Sequence, residues 1–347
     1  MQQWWTGLAN AAPNDAGALH ALGLGFMAAK TLFVALEFQL FSHLSDKILR
    51  LPQLAAVLKL SERATGRLLY ACAALGLIQS TEQGFRNAPI AERYLVQHRP
   101  TYIGSYLQMF DELGYHRWEQ MSTALRHDAP PDAVHHPYHY LAHDEAEATA
   151  FMQAQHAGSI SLGHALAQRF DFQPYTCLLD LGGGSGAYST AILQRYPHMR
   201  AIIFDFQPVC RIAEAIANAA GLAHRISTVA GDYERDPLPT GPDVVLWSGN
   251  LHASSPARCR QVVEHIAEIL PTGGTLLIHD YLLDDSRCGP LIPALLALHL
   301  TLVSDDGQVY SGQELEMLLN STGFTDVTVQ PFLPGHSGLV SARKAGC

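Results

Sequence analysis

The strongest chemical signal in the chain is a glycine-rich turn that follows Asp180, together with a second aspartate 25 residues after Asp180. The turn reads LLDLGGGSG over residues 178–186 and joins an apolar run to a segment of helical composition. Glycines at such a turn let a ligand approach the backbone closely, and open α/β sheets bind ligands beyond the carboxyl ends of their strands. This second aspartate, Asp205, is placed to accept hydrogen bonds from both hydroxyls of a ribose. With Gly231 and Asp232 after a third apolar run, the pattern predicts a nucleoside site.

Two nucleoside cofactors fit this spacing, NAD and S-adenosylmethionine. Dinucleotide-binding proteins commonly carry a second mononucleotide-binding half, whereas this chain continues into a pattern typical of a closing antiparallel strand pair. The turn also reads GGGSG behind an aspartate, and not the G-x-G-x-x-G of dinucleotide sites. The sequence therefore favours S-adenosylmethionine.

A second group of chemically capable residues is the run HHPYHY over residues 135–140. Its histidines could bind a metal ion. Prolines at positions 130, 131 and 137 deny the run a regular scaffold. We therefore interpret it as a solvated loop.

The elements that must position the nucleoside site predict an α/β domain. Five short apolar runs alternate with stretches of helical length, and they are Cys177–Leu181, Ala201–Asp205, Ile226–Ala230, Val244–Trp247 and Thr275–Ile278. This βαβ organisation predicts a Rossmann-like, mostly parallel sheet. The runs at 327–329 and 338–342 predict a closing pair, which makes seven strands.

The N-terminal part predicts a mainly helical module. Residues 17–44 read as one long helix that is apolar nearly all round and so needs cover on several sides. A second subunit is the expected cover, which predicts a homodimer. Helices at 51–58 and 61–75 with a hairpin at 77–86 make a winged helix. Five basic against two acidic residues over 46–67 leave DNA recognition open, but we favour dimerisation.

Composition bounds the function classes. The 347 residues are 48% hydrophobic with a net charge of −10, which argues against a protein that grips nucleic-acid phosphates. No secretory signal pattern is visible, and Lys30, Glu37 and Gln39 interrupt the most apolar stretch. We therefore expect no membrane span. The six cysteines form no CxxC pair, so we also expect a cytoplasmic protein. The expected domains are a dimerisation domain (1–100), a helical linker that contributes to the substrate pocket (101–170) and a cofactor-binding domain (171–347).

Taken together, these motifs resemble one family. The turn LLDLGGGSG, Asp205 at a strand end, the Gly231 and Asp232 pair and the aromatic-rich middle segment are similar to the class I S-adenosylmethionine-dependent O-methyltransferases of small molecules. Within that family the chain resembles the bacterial secondary-metabolite type with an N-terminal winged-helix dimerisation domain. The resemblance extends over essentially the whole chain. It implies a homodimeric enzyme that methylates a small, hydroxylated and aromatic metabolite.

The resemblance assigns the cofactor contacts. It implies that Gly182 approaches the methionine part, that Asp205 binds the ribose, and that Asp232 and Tyr233 flank the adenine. The full set of expected cofactor-binding residues is Asp180, Gly182, Gly184, Asp205, Phe206, Gly231, Asp232, Tyr233 and Ser248. Many relatives have a lysine at position 248, so the serine departs from the family pattern.

The resemblance also implies a general base, His252, which follows the fourth strand. An imidazole with an ordinary pKa near ~6.5 can take a proton from a phenol or enol as a methyl group arrives. Asp280 matches a glutamate that buttresses this histidine and could fix its tautomer. Relatives continue His-Asp-Trp where this chain has Ala253 and Ser254, so one carboxylate of the family pattern is missing.

A third candidate catalytic residue, His299, lies in the apolar stretch Leu291–Val303, which in the family helps to line the substrate pocket. It is either a core residue or a partner of His252 and Asp280. Two histidines and one carboxylate can bind iron, which would favour carbon methylation of an α-keto acid. We keep this as one alternative, and a winged-helix regulator that senses a metabolite as another.

Overall fold

The computed structural model describes residues 16–99, 101–131 and 137–346. These residues form two compact units that divide between His116 and Arg117. The division lies inside the segment 101–170 that the sequence predicts to be a linker. Each unit has a hydrophobic core of its own.

The first unit is helical with one small hairpin. Its helices are α1 (Ala16–Gly23), α2 (Gly25–Glu37), α3 (Leu40–His43), α4 (Leu51–Leu58), α5 (Glu62–Ala74), α6 (Pro89–Tyr94) and α7 (Gly104–Met109), followed by a π-helical turn (Phe110–Tyr115). Strands β1 (Ile78–Thr81) and β2 (Gly84–Asn87) pair antiparallel. Ser61 caps α5 by accepting the Ala64 N–H at 3.2 Å, and Gly76 follows its end with φ +72°. The predicted helix–helix–hairpin order is present.

The single helix expected over residues 17–44 is wrong. The chain leaves the helical path at Leu24 and again at Gln39, which adopts a left-handed conformation with φ +52°. A left-handed residue cannot continue a right-handed helix. The second break redirects the chain so that Leu40 and Phe41 of α3 are buried in the core of the first unit.

One face of α1 and α2 is uncovered. Leu19, Leu22, Phe26 and Met27 are 52–60% exposed. By length and composition, the stretch Ala16–Glu37 is long and apolar enough to cross a membrane. Of its most apolar 18 residues, 17% are buried. It also carries Lys30, whose Nζ lies 2.7 Å from Oδ1 of Asp111. An apolar surface of this kind marks an interaction site.

The second unit alternates strands and helices. Its helices are α8 (Met121–His127), α9 (Glu145–Arg169), α10 (Ala187–Arg195), α11 (Gln207–Ala219), α12 (Pro256–Ile269), α13 (Leu291–Val303) and α14 (Gly312–Ser321), with 3₁₀ turns at Arg117–Gln120, His139–Ala142 and Leu251–Ala253. Its strands are β3 (Cys177–Leu181), β4 (Arg200–Asp205), β5 (Ile226–Ala230), β6 (Val244–Ser248), β7 (Thr275–Asp280), β8 (Leu282–Leu283), β9 (Tyr310–Ser311), β10 (Phe324–Leu333) and β11 (Ser337–Lys344).

Seven of these strands form one sheet in the order β10-β11-β7-β6-β3-β4-β5. Strands β3 to β7 are parallel, and β11 lies antiparallel between β7 and β10. All five residues of β3 are buried. Leu179 and Leu181 belong to the core that contains α12, whereas Leu178 belongs to the core that contains α10. A strand buried on both faces needs such an unbroken apolar run. The mostly parallel seven-stranded sheet predicted from the sequence is confirmed.

Candidate active site

The glycine turn after β3 adopts a backbone that side chains would obstruct. Gly182, Gly184 and Gly186 have φ values of +61°, +56° and +69°. The Gly182 N–H donates to the Phe204 carbonyl at 2.8 Å. A Cβ atom at position 182 would lie 2.1 Å from Nδ2 of Asn250, which donates to the Gly182 carbonyl at 3.0 Å. The turn is therefore held open by hydrogen bonds at a point where only glycine fits.

Asn250 was not predicted from the sequence. Its side chain links the segment after β6 to the glycine turn, and its Oδ1 atom is buried without a hydrogen-bond partner among the described residues. Such an orphaned acceptor needs a ligand or water to satisfy it. Its position in Ser-Gly-Asn, directly after a buried strand, was the available signal.

Asp205 joins the end of β4 to the same turn. Its Oδ2 atom accepts the Gly184 N–H at 2.8 Å, and its Oδ1 atom accepts the Phe206 N–H at 2.7 Å. Burial raises the pKa of this carboxyl group to about 6, against the lowering effect of the two N–H donors. The turn and the predicted ribose-binding residue are thus brought together.

Asp180 lies beneath the turn and is fully buried. Ser189 of α10 donates to its Oδ2 atom at 2.6 Å, while its Oδ1 atom has no partner among the described residues. Burial raises its pKa to about 6. Its visible role is to fasten α10 below the turn, and a cofactor contact by this residue stays a prediction.

The predicted adenine-binding residues follow β5. The Gly231 N–H donates to the Asp205 carbonyl at 2.9 Å. The Oδ2 atom of Asp232 lies 3.8 Å from Nε2 of His139. Tyr233 packs edge-on against Trp247, with ring centroids 5.9 Å apart, and burial raises the pKa of its phenol. A Cβ atom at position 182 would lie 3.1 Å from Cε1 of Tyr233, so this ring lies beside the glycine turn.

Two further predicted cofactor residues complete this edge of the sheet. Phe206 begins α11 as its N-cap, and its ring meets the His139 ring edge-on with centroids 5.9 Å apart. Ser248 ends β6, is partly buried and pairs in register with His279 of β7.

His252 and Asp280 form a buried hydrogen-bonded pair. Nδ1 of His252 lies 2.8 Å from Oδ1 of Asp280, and the His252 backbone N–H donates to Oδ2 at 3.3 Å. The two side chains meet because Asp280 ends β7, while His252 lies in the 3₁₀ turn just beyond the neighbouring parallel strand β6. A carboxylate accepts only, so Nδ1 carries a proton, and in the neutral imidazole that a general base requires Nε2 has a free electron pair.

The other ring nitrogen of His252 faces an aromatic hydroxyl that the sequence did not suggest. Nε2 lies 3.2 Å from Oη of Tyr138, and Tyr281 meets the imidazole edge-on at 5.8 Å. The solvated-loop interpretation of residues 135–140 is therefore wrong for Tyr138, and the 3₁₀ turn after it is anchored by the buried Leu141. Aromatic packing against α9 overrides the prolines. His135 and His136 lie outside the described residues.

His299 lies on α13 and is paired with Trp118. The Trp118 Nε1–H donates to Nδ1 of His299 at 3.1 Å, and the two rings stack at 6.3 Å with 9° between their planes. Burial lowers the pKa of His299, and repulsion from the charge of Arg117 adds to this effect. As a neutral side chain, His299 can line the site.

The iron-binding triad finds no matching geometry. Among the described residues, only His139, Asp232 and Glu234 place three metal-ligand atoms within 4.8 Å of one another. His252, Asp280 and His299, which are all described, form no such group, and Nδ1 of His252 is engaged by Asp280. The carboxylates of the other group lie close to arginines, at 3.6 Å for Asp232 with Arg235 and 3.7 Å for Glu234 with Arg258.

Comparison with known proteins identifies both units. Residues 118–325 match a family model described as an O-methyltransferase domain, and residues 21–97 match an O-methyltransferase dimerisation domain. The two matches lie in the second and the first unit, respectively.

Individual relatives extend over nearly the full chain. This chain is 34% identical over 325 residues to the 3-hydroxy-5-methyl-1-naphthoate 3-O-methyltransferase of Streptomyces sahachiroi, and the match covers 93% of this chain and 94% of the relative. It is 29% identical to the tetracenomycin polyketide synthesis 8-O-methyl transferase TcmO of Streptomyces glaucescens, covering 94% and 96%. Human N-acetylserotonin methyltransferase, solved in complex with SAM, superposes with a TM-score of 0.88 at 26% identity, covering 97% and 99%.

Proposed function

This chain belongs to the O-methyltransferase family and depends on S-adenosylmethionine, and we propose that it methylates a hydroxyl group of a small aromatic metabolite with His252 as general base. The buried pair of His252 and Asp280, beside the glycine turn, carries the proposal. The naphthoate and polyketide relatives support the aromatic class of acceptor.

The residues around the turn fit the cofactor. Gly182 leaves a space that a Cβ atom would fill, the orphaned Oδ1 of Asn250 offers an acceptor, and Asp205 offers a carboxylate beside the turn. Gly182 and Gly184 would hold the methionine part, and Asp205 the ribose. The remaining contacts would come from Asp180, Phe206, Gly231, Asp232, Tyr233 and Ser248. When bound, the cofactor supplies a methyl group on a sulfonium centre, which is a good leaving group.

The protein supplies orientation and a proton acceptor. Asp280 holds the proton on Nδ1 of His252, so Nε2 is the atom that receives the proton of the acceptor hydroxyl. The same carboxylate stabilises the imidazolium that results, and burial of the pair strengthens this interaction. We propose that His299, through its pairing with Trp118, lines the acceptor pocket nearby.

The His252→Ala variant tests the assignment. We expect kcat to fall by about 10²–10⁴-fold, the usual contribution of a general base. Turnover is measured by mass spectrometry of hydroxyaromatic acceptors with isotope-labelled S-adenosylmethionine. Cofactor affinity, measured by calorimetry, should stay near that of the wild type. Unchanged turnover in this variant would show that positioning alone drives the reaction.

Asp280→Asn tests the positioning role of the carboxylate. We expect kcat to fall by about 10–100-fold, because the amide can fix the wrong tautomer. If Asp280 acts through His252, the double variant should be no slower than His252→Ala alone. Multiplied losses in the double variant would contradict this role.

The first unit and the location of the enzyme complete the proposal. We propose that two copies associate through α1 and α2, since the dimerisation-domain match includes residues 21–97 and this face is exposed. We further propose a cytoplasmic enzyme that binds neither membranes nor nucleic acid. The comparisons lend no support to carbon methylation of a keto acid or to a regulator.

A further inference from the structure

We infer that Tyr138 makes an autoinhibitory contact, in which its hydroxyl occupies the position of the acceptor hydroxyl on His252 until the acceptor binds. The inference rests on the proposed role of His252 as general base. Every acceptor must displace this aromatic hydroxyl from the base.

The hydrogen-bond pattern of His252 fixes the direction of the Tyr138 contact. Because Asp280 holds the proton on Nδ1 at 2.8 Å, Nε2 of the neutral imidazole, the form that acts as a base, has one electron pair and no hydrogen. Tyr138, 3.2 Å away, therefore donates its O–H to Nε2. The acceptor hydroxyl must donate to the same electron pair before it can be deprotonated. One electron pair cannot serve both donors with good geometry, so the two hydroxyls compete.

The surroundings of Tyr138 present its hydroxyl to the base. Its ring packs against Phe151 of α9 at 5.9 Å and against the His252 ring edge-on at 6.3 Å. It precedes the 3₁₀ turn at His139–Ala142, where Leu141 is buried with Met152 and Val209. The tyrosine thus lies in a turn outside the sheet, while its neighbour Leu141 is anchored.

Competition with an aromatic hydroxyl raises KM for every acceptor. Each acceptor hydroxyl must break the same contact between Tyr138 and His252 before it reaches Nε2. The free-energy cost of this displacement is therefore equal for phenols, enols and alcohols. The contact weakens acceptor binding as a whole and leaves the ratio between two acceptors unchanged.

Chemical labelling of His252 tests the contact without any acceptor. Diethyl pyrocarbonate modifies unprotonated imidazole nitrogens, and peptide mass spectrometry locates the modified residue. In Tyr138→Phe, we expect His252 to react about fivefold faster, because a hydrogen bond of this kind contributes about 1 kcal/mol. The matched control is Tyr140→Phe, whose ring packs on the same Phe151 at 6.4 Å, and it should leave the rate unchanged. Equal rates in Tyr138→Phe and the wild type would overturn the inference.

Steady-state kinetics with 2-naphthol and 2-naphthylmethanol tests the competition. For 2-naphthol, Tyr138→Phe should lower KM about fivefold and leave kcat within about twofold. The ratio of kcat/KM for the phenol and the alcohol should stay the same in this variant, because both probes displace the same hydroxyl. A tenfold lower kcat at unchanged KM would overturn the inference, since Tyr138 would then relay the proton. If the wild type methylates neither probe, the acceptor proposal fails for naphthols, and the labelling rates alone decide the role of Tyr138.

Discussion

At the scale of single residues, we predict that the carboxyl group of Asp205 makes cofactor binding sensitive to pH. Burial raises its pKa to about 6, so it is ionised at pH 7.5 and takes up a proton as the pH falls through about 6. A carboxylate accepts hydrogen bonds from ribose hydroxyls more strongly than a carboxylic acid does. We expect the affinity for S-adenosylmethionine to fall below pH 6, by up to about tenfold for each unit.

Calorimetry between pH 5 and 8 measures this dependence, and Asp205→Asn is the control. The amide resembles the protonated acid, so this variant should bind weakly at pH 7.5 and lose most of its pH dependence. An equally steep dependence in the variant would assign the titration to another group, of which Asp180 is the first candidate because burial raises its pKa to about 6 as well.

At the scale of elements, the glycine turn allows a test with a matched control. Gly182→Ala would place a Cβ atom 2.1 Å from Nδ2 of Asn250, so the turn must open or Asn250 must leave it. We expect cofactor affinity to fall at least about tenfold. Backbone strain at φ +61° should also lower the free energy of unfolding by about 1–2 kcal/mol.

Gly221→Ala is the control, since Gly221 has φ +71° and open space around its Cβ position. It should lose thermal stability through backbone strain alone and keep normal cofactor affinity. If both variants bind the cofactor equally well, the turn is not the binding element.

The elements that local pattern determines were predictable, and those that depend on distant packing were not. The five parallel strands were predictable because buried strands are continuous apolar runs bounded by Gly, Pro or Asp. The break at Gln39 was missed because its left-handed backbone is set by packing of α3 and by no local glycine.

The same limit applies to the site. The resemblance to the family implied that Asp280 supports His252, and the two side chains meet because the neighbouring parallel strands β6 and β7 end at one edge of the sheet. Tyr138 contacts His252 across 114 positions of sequence, and Asn250 contacts Gly182 across 68. No periodicity in one sequence reports contacts of that range.

At the scale of the whole molecule, the exposed face of α1 and α2 predicts the oligomeric state. We expect the wild type to be a dimer by size exclusion with light scattering. Leu22→Glu should shift it to a monomer, because a buried unpaired charge costs several kcal/mol. Leu22 is 54% exposed, and the control Met317→Glu changes a 58% exposed side chain of the second unit.

The Met317→Glu control should remain dimeric.

A lipid bilayer is the alternative partner for such an apolar face. Flotation of the wild type with neutral phosphatidylcholine vesicles would contradict the dimer assignment and point to membrane association through Ala16–Glu37.

His252 lies just beyond β6 and Asp280 ends β7, and these two interior strands each have a neighbouring strand on both sides. Interior strands are less exposed to local opening than the edges of a sheet. We propose that the scaffold thereby fixes the proton-accepting pair, whereas the shape of the acceptor pocket depends on side chains outside the sheet, such as His299 and Trp118. Substitutions at those side chains would then change which metabolite is methylated and leave the proton-accepting pair intact.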